Sequence, residues 1–175
     1  MKTNPSILCL AIPALAALIL SGCGKSETPA ATATASAPSP AASSQEVAQA
    51  REIEITANDA MKFNVAEIRA KPGERLSVTL TNLGTMPKFS MGHNWVLLAA
   101  GVKVEAFAND ASTAVKTDYV PAAYKDRVLA ATKLLGPKQS DTVVFQAPKE
   151  PGRYPFVCSF PGHFQVGMKG ELIVE

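Results

Sequence analysis

The chain has 175 residues, enough for one ordinary domain or for a smaller domain with a tail, and 17 Lys and Arg against 15 Asp and Glu leave a formal net charge of +2. No block of like charge stands in it, which removes the electrostatic motive for nucleic-acid binding. Three cysteines and two histidines exclude sites that need many imidazoles or paired thiolates, so zinc fingers, multicopper oxidases and a dinuclear copper centre with two cysteines cannot be built from this inventory.

From Ile7 to Leu20 the residues are almost all Ala, Leu and Ile, preceded by one positive charge at Lys2. This run is short for a bilayer span and fits the apolar region of an export signal. It ends in Leu20-Ser21-Gly22-Cys23, which resembles the lipobox of bacterial lipoproteins. The resemblance implies that residues 1–22 are a signal peptide cleaved before Cys23. Cys23 would then carry the lipid, and the protein would be exported and anchored to a bacterial membrane, its domain in the periplasm or at the cell surface. Acyl chains contribute roughly 0.8 kcal/mol per buried methylene, so two or three of them anchor without a transmembrane helix. Cys9 would leave with the signal and Cys23 would be consumed by lipid, leaving the single thiol Cys158. One thiol forms no intramolecular disulfide, and an idle one is a liability in an oxidising compartment, so Cys158 calls for a function.

Behind Cys23, the stretch to residue 50 is Ala, Ser, Thr and Pro with very few large apolar residues. It cannot bury enough surface to offset the entropy of ordering and reads as a flexible linker, with a root-mean-square reach of roughly 30 Å and a fully extended reach of about 90 Å. The folded part is expected from 51 to 175. Ile53 and Ile55, then Phe63 and Val65, then Leu76, Val78 and Leu80 alternate with polar neighbours, the period of half-buried strands. Lys71-Pro72-Gly73-Glu74 has the chemistry of a turn between two of them. Further strands are predicted over 94–98, 128–134, 142–146, 153–158 and 169–174, with Trp95 pointing into the core. Seven or eight short strands imply an all-β, antiparallel Greek-key sandwich. The Ala-rich stretch 104–126, which contains Tyr119 and Tyr124, interrupts the rhythm and predicts a partly helical flap.

The loop before the last strand, Cys158-Ser-Phe-Pro-Gly-His163-Phe-Gln-Val-Gly-Met168, puts a thiolate, an imidazole and a thioether close together, and Gly92-His93-Asn94 supplies the only other imidazole. Two imidazoles, one thiolate and a weak thioether form the ligand set of a blue copper site. The thiolate donates strongly to Cu(II), the thioether favours Cu(I), and imidazole suits both.

Met91-Gly-His-Asn-Trp-Val96, Cys158-Ser-Phe-Pro-Gly-His163, Met168-Lys-Gly170 and Thr132-Lys-Leu-Leu-Gly136 resemble segments of azurins in the cupredoxin family, and the similarity spans essentially all of 51–175. It implies one type 1 copper cycling between Cu(II) and Cu(I), with His93, Cys158 and His163 as equatorial ligands and Met168 as the axial one. It also implies a Gly92 carbonyl approaching from the opposite side, and Asn94 and Phe160 amides donating to the Cys158 sulfur. Four residues separate His163 from Met168, one more than in azurins and more like the auracyanin loop, and the azurin disulfide is missing.

These features predict an electron-transfer protein and not an enzyme: a monomeric, membrane-anchored one-electron shuttle between redox proteins such as a c-type cytochrome and a terminal oxidase or reductase. Copper buffering or delivery is the alternative. The electron is expected to leave through a surface-reaching edge of His163, inside an apolar rim of Phe160, Pro161, Gly162 and Phe164 completed by Met86 and Pro87. Loss of Lys2 with the signal leaves 16 positive against 15 negative charges, so long-range steering should be slight.

Overall fold

A computed structural model describes residues 49–175; the expected signal peptide, Cys23 and the expected linker as far as residue 48 lie outside the described residues. Eight strands form two sheets, and their inward faces follow the alternation in the sequence. In β3 (Arg75–Asn82) every second residue is buried, namely Leu76, Val78, Leu80 and Asn82. β3 lies between β1 (Arg51–Ala57) and β6 (Ser140–Gln146) in a three-stranded sheet. The second sheet has the order β2 (Glu67–Ala70), β8 (Lys169–Val174), β7 (Gly152–Val157), β4 (Val96–Leu98), β5 (Val128–Ala131).

The sandwich is not purely antiparallel. β1 runs parallel to β3, with Ile55 opposite Leu80, and β2 runs parallel to β8, with Ile68 opposite Leu172. Period-two patterning reports which face a residue occupies and carries no information on strand direction. Phe63 and Val65 belong to no strand: Phe63 makes a single bridge to Ala57, and the chain becomes regular only at Glu67.

β4 explains how the layers are arranged. All three of its residues are fully buried because both faces of the strand are covered. Leu97 faces the interior between the sheets with Ile55, Leu76, Trp95, Phe156 and Leu172. Val96 and Leu98 face the other way, into a second apolar cluster with Phe107, Ala108, Tyr124, Val157 and Phe164. That cluster lies under the predicted flap, which consists of α2 (Val104–Ala111) and two short 3-10 turns at Val115–Thr117 and Ala122–Tyr124. The Phe107 and Tyr124 rings meet edge to face at 5.1 Å, and the Tyr124 hydroxyl donates to Asp110 at 2.8 Å. Burying side chains of this size contributes about 1.5–3 kcal/mol each, which is what holds a mostly irregular segment onto the sheet. Trp95 is in the core as expected, between Phe145 at 5.9 Å and Phe156 at 5.5 Å. Its indole N–H has no acceptor, a cost of about 1–3 kcal/mol that its apolar packing offsets.

Candidate metal centre

Sheet pairing brings the ligand-bearing segments to one end of the sandwich. Val96 of β4 lies between Val157 of β7 and Ala131 of β5. Just beyond these pairs, His93 exchanges main-chain hydrogen bonds with Leu135, at 3.1 and 2.8 Å, and Cys158 opens the loop that leaves β7. The one-turn helix α1 (Lys88–Met91) leads into this site and stops at Gly92, whose backbone is extended.

The 158–168 loop is closed by its own main chain. The Cys158 amide donates to the Met168 carbonyl at 3.1 Å, the Met168 amide to the His163 carbonyl at 3.0 Å, and the His163 amide to the Phe160 carbonyl at 3.1 Å. The loop turns through Gly162 and Gly167, whose φ values of +87° and +91° suit a residue without a Cβ. Outside it, the Lys62 ammonium donates to the Val166 carbonyl and holds the segment between His163 and Met168. Asp59 ties the loop after β1 to the stretch before α1, accepting from the Thr85 amide and hydroxyl, both at 2.9 Å, and these bonds hold its carboxyl below the usual range. Neither Lys62 nor Asp59 is marked in the sequence, since isolated charged residues in turns carry no distinctive pattern.

The Cys158 Sγ lies 3.4 Å from His163 Nδ1 and 4.0 Å from His93 Nδ1. One ligand atom from each of the three residues falls within 4.8 Å of the others, and no carboxylate joins them. His93 and Cys158 are fully buried and His163 is 2% exposed. Met168, also fully buried, is fixed to Cys158 and His163 through the main-chain bonds just described. Asn94 is a buried tie between the two ligand segments: its carbonyl oxygen accepts from the Ser159 amide at 2.8 Å and its amide donates to the Ser159 hydroxyl at 2.8 Å.

Burial dominates the electrostatics. It pushes the Cys158 thiol up to about 12, against the opposing hydrogen bonds from the Asn94 and Phe160 amides. It lowers His163 to about 4, helped by the neighbouring His93, and lowers His93 against the pull of Asp59 and the Asn58 carbonyl. His93 Nε2 still lacks a well-formed hydrogen bond. Such a site presents two neutral imidazoles and a thiol whose proton a metal must displace. Soft sulfur with imidazole nitrogen, and no carboxylate, fits one type 1 copper.

The rim differs from expectation. His163 does not reach the surface, and Phe160 and Phe164 are each only 8% exposed. Phe164 turns under the flap beside Val157 and Phe107, because an apolar ring next to an open cluster gains more by filling it than by facing water. The exposed apolar side chains of the flanking loops are Leu83, Met86, Phe89 and Val166, with Phe89 84% exposed.

Two packed sheets over a buried His, Cys, His cluster define a cupredoxin. The sequence profile of copper-binding proteins of the plastocyanin/azurin family matches residues 49–175, and the chain belongs to that family. It is 40% identical over 124 residues to the azurin of Achromobacter denitrificans, covering 69% of this chain and 82% of that protein. To the azurin of Pseudomonas aeruginosa it is 36% identical over 126 residues, covering 70% and 84%. Among solved structures it resembles dithionite-reduced auracyanin from Roseiflexus castenholzii, with a TM-score of 0.64, 34% identity, and coverage of 72% of this chain and 98% of that one. Azurin iso-2 of Methylomonas sp. strain J gives a TM-score of 0.63 at 31% identity, over 71% and 98% of the two chains.

The depressed imidazoles make a prediction for the metal-free protein. Unfolded histidine takes up protons below about pH 6.5, whereas folded His163 does so only near 4. The contribution of His163 to stability is therefore present above pH 6.5 and lost as the pH falls through 6.5 toward 4, on the order of 3 kcal/mol in all. An NMR titration of the His163 imidazole in metal-free protein checks it, and a midpoint near 6.5 would remove this contribution.

Proposed function

We propose that this protein is a membrane-anchored one-electron carrier in which His93, Cys158, His163 and Met168 would hold one type 1 copper, with the Met168 thioether as the weak donor. Bound there, copper supplies reversible exchange of one electron between Cu(II) and Cu(I). The chain supplies the frame. Gly92 offers its carbonyl beside His93, and the Asn94 and Phe160 amides donate to the Cys158 sulfur, a lever on the reduction potential. The observation that carries this reading is the burial of all four side chains inside segments closed by main-chain hydrogen bonds. A frame that cannot relax keeps the rearrangement accompanying electron arrival small. Buffering or delivery of copper asks for the opposite, exposed ligands that pass the metal to a partner, so the burial of these side chains favours the carrier. No spare histidine stands ready for acid or base work, and four protein donors leave no open metal position for a substrate, which supports a carrier that turns over no substrate.

Cys23 is the lipid attachment point in this reading, with residues 1–22 as the cleaved signal and 23–50 as the tether. The domain works as a monomer in the periplasm or at the cell surface. Its partners are redox proteins such as a c-type cytochrome and a terminal oxidase or reductase, which meet it at the end of the sandwich where Met86, Phe89 and Val166 are exposed, at 41, 84 and 48%. An apolar face with little net charge suits short encounters.

Copper loading tests the ligand set. The wild type is expected to be intensely blue and to give reversible one-electron voltammetry. Cys158→Ser should abolish the thiolate-to-copper band, and Met168→Ala should keep a coloured site at a shifted potential. A Cys158→Ser protein that stays blue contradicts the assignment.

The anchor is tested separately by detergent partitioning. Mature wild type should enter the detergent phase and Cys23→Ser the aqueous one, with copper binding retained in both. Wild type recovered from the aqueous phase removes the anchor.

For the docking face, Phe89→Lys should slow electron self-exchange and leave the visible spectrum unchanged, since association suffers and the site does not. Unaltered exchange places the contact elsewhere.

A further inference from the structure

Between its two 3-10 turns the flap makes a corner that ordinary packing does not account for. Asp118 and Tyr119 are consecutive, neither is glycine, and both have left-handed backbones, with φ of 52° and 61°. A left-handed residue directly after a helical turn is a common stop, and Asp118 caps the 3-10 turn Val115–Thr117 in that way. A second one in succession is strained, more so for a bulky ring than for a short polar side chain. Strain of this kind persists only where the surroundings enforce it.

The contacts of this corner show what enforces it. The Asp118 carbonyl accepts from the Asn94 side-chain amide at 2.9 Å, and Asn94 also holds Ser159 at both its main-chain amide and its hydroxyl. The Asp118 carboxylate accepts from the Leu134 amide at 3.2 Å and lies 3.9 Å from the Lys88 ammonium on α1. Leu134 packs directly on Gly92, where an added Cβ would come within 2.9 Å of its Cγ. The half-buried Tyr119 ring meets Phe160 edge to face at 5.1 Å, and Phe160 in turn stands 4.7 Å from the His163 ring. Asn94 and Phe160 are also the two residues whose main-chain amides bear on the Cys158 thiol and oppose the effect of its burial. They come from opposite ligand segments, and the flap corner touches both.

We propose that Asp118 and Tyr119 are positioning residues for the Cys158 sulfur: the corner clamps Asn94 through its side chain and Phe160 through its ring, and so fixes how the main-chain amides of these two residues approach the sulfur. The flap thereby acts on the metal centre from outside the ligand loops, without contributing a ligand. This rests on the copper reading above. It differs from a merely structural role in what it changes. A flap that only covers the sheet would alter stability when loosened, whereas this corner alters the electronic character of the sulfur.

The test compares full-length wild type, Tyr119→Ala, Tyr119→Phe and Asp118→Gly. Tyr119→Phe keeps the ring and should behave as wild type. Asp118→Gly accepts the left-handed backbone and loses the carboxylate brace, so it carries the test should Tyr119→Ala not fold. In metal-free protein, hydrogen exchange should accelerate about tenfold at the Phe160 amide in Tyr119→Ala and at the Ser159 amide in Asp118→Gly, the protection of about one hydrogen bond. In copper-loaded protein the same two variants should shift the thiolate-to-copper band and the reduction potential, with Tyr119→Phe restoring both. Unchanged exchange, band and potential in Tyr119→Ala and Asp118→Gly, or equal shifts in Tyr119→Ala and Tyr119→Phe, overturn the proposal. A wild type that does not turn blue with copper overturns the reading of the site instead, while the metal-free exchange still decides whether the corner clamps these residues.

Discussion

A thiol and two imidazoles in an apolar interior lose their water, and the rest of this structure answers that loss. Desolvation holds Cys158 protonated and both imidazoles neutral, so the empty chain carries no charge in its core. The cost is met by main-chain bonding: the β4 pairings, the His93–Leu135 bridge and the closure of the 158–168 loop use backbone groups and engage none of the sulfurs or imidazole nitrogens. These backbone bonds hold the side chains together without drawing on their donor atoms. Such a frame suits a metal whose two oxidation states prefer different geometries, because it favours one compromise arrangement.

The site could be read from the sequence because its chemistry uses scarce residue types. Two histidines and three cysteines leave few combinations, and the spacing from Cys158 to Met168 puts three candidates on one loop. Strand faces were legible for the same physical reason, as the buried residues of β3 follow the alternation of Leu76, Val78 and Leu80. Strand direction was not, since a parallel and an antiparallel neighbour bury the same alternate residues. β2 was hidden because four residues in which charge alternates with Ile and Ala give too short a pattern beside the more apolar Phe63 and Val65.

What the sequence left unmarked is the tertiary support. Phe164 looks like a rim residue in a loop, yet it fills the cluster beneath the flap, a preference fixed by Phe107 and Tyr124 far along the chain. Phe89, in the one-turn helix α1, has no such cavity within reach and remains in solvent. Two aromatic residues in similar polar surroundings thus take opposite positions, and only the presence of a partner surface decides between them. Left-handed Asp118 and Tyr119 are equally silent in the sequence, because a non-glycine residue at positive φ has no compositional signature.

These silent features share a direction of action. Lys62 on the Val166 carbonyl, Asp59 on Thr85 and the Asp118–Tyr119 corner all press on ligand-bearing segments from elements that bind nothing themselves. The four residues between His163 and Met168 have conformations to lose on folding, and each external tie removes some of them. The donors can then stay the same while their supports change, so that relatives with equal ligand sets come to differ in potential and stability. Of these supports the Asp118–Tyr119 corner is the one that reaches the neighbours of the sulfur, Asn94 and Phe160, and hydrogen bonds around a ligating sulfur tune the metal it holds. Variation that tunes such a protein therefore belongs at positions like 118 and 119, where a change reaches the sulfur through Asn94 and Phe160 and spares the ligands themselves.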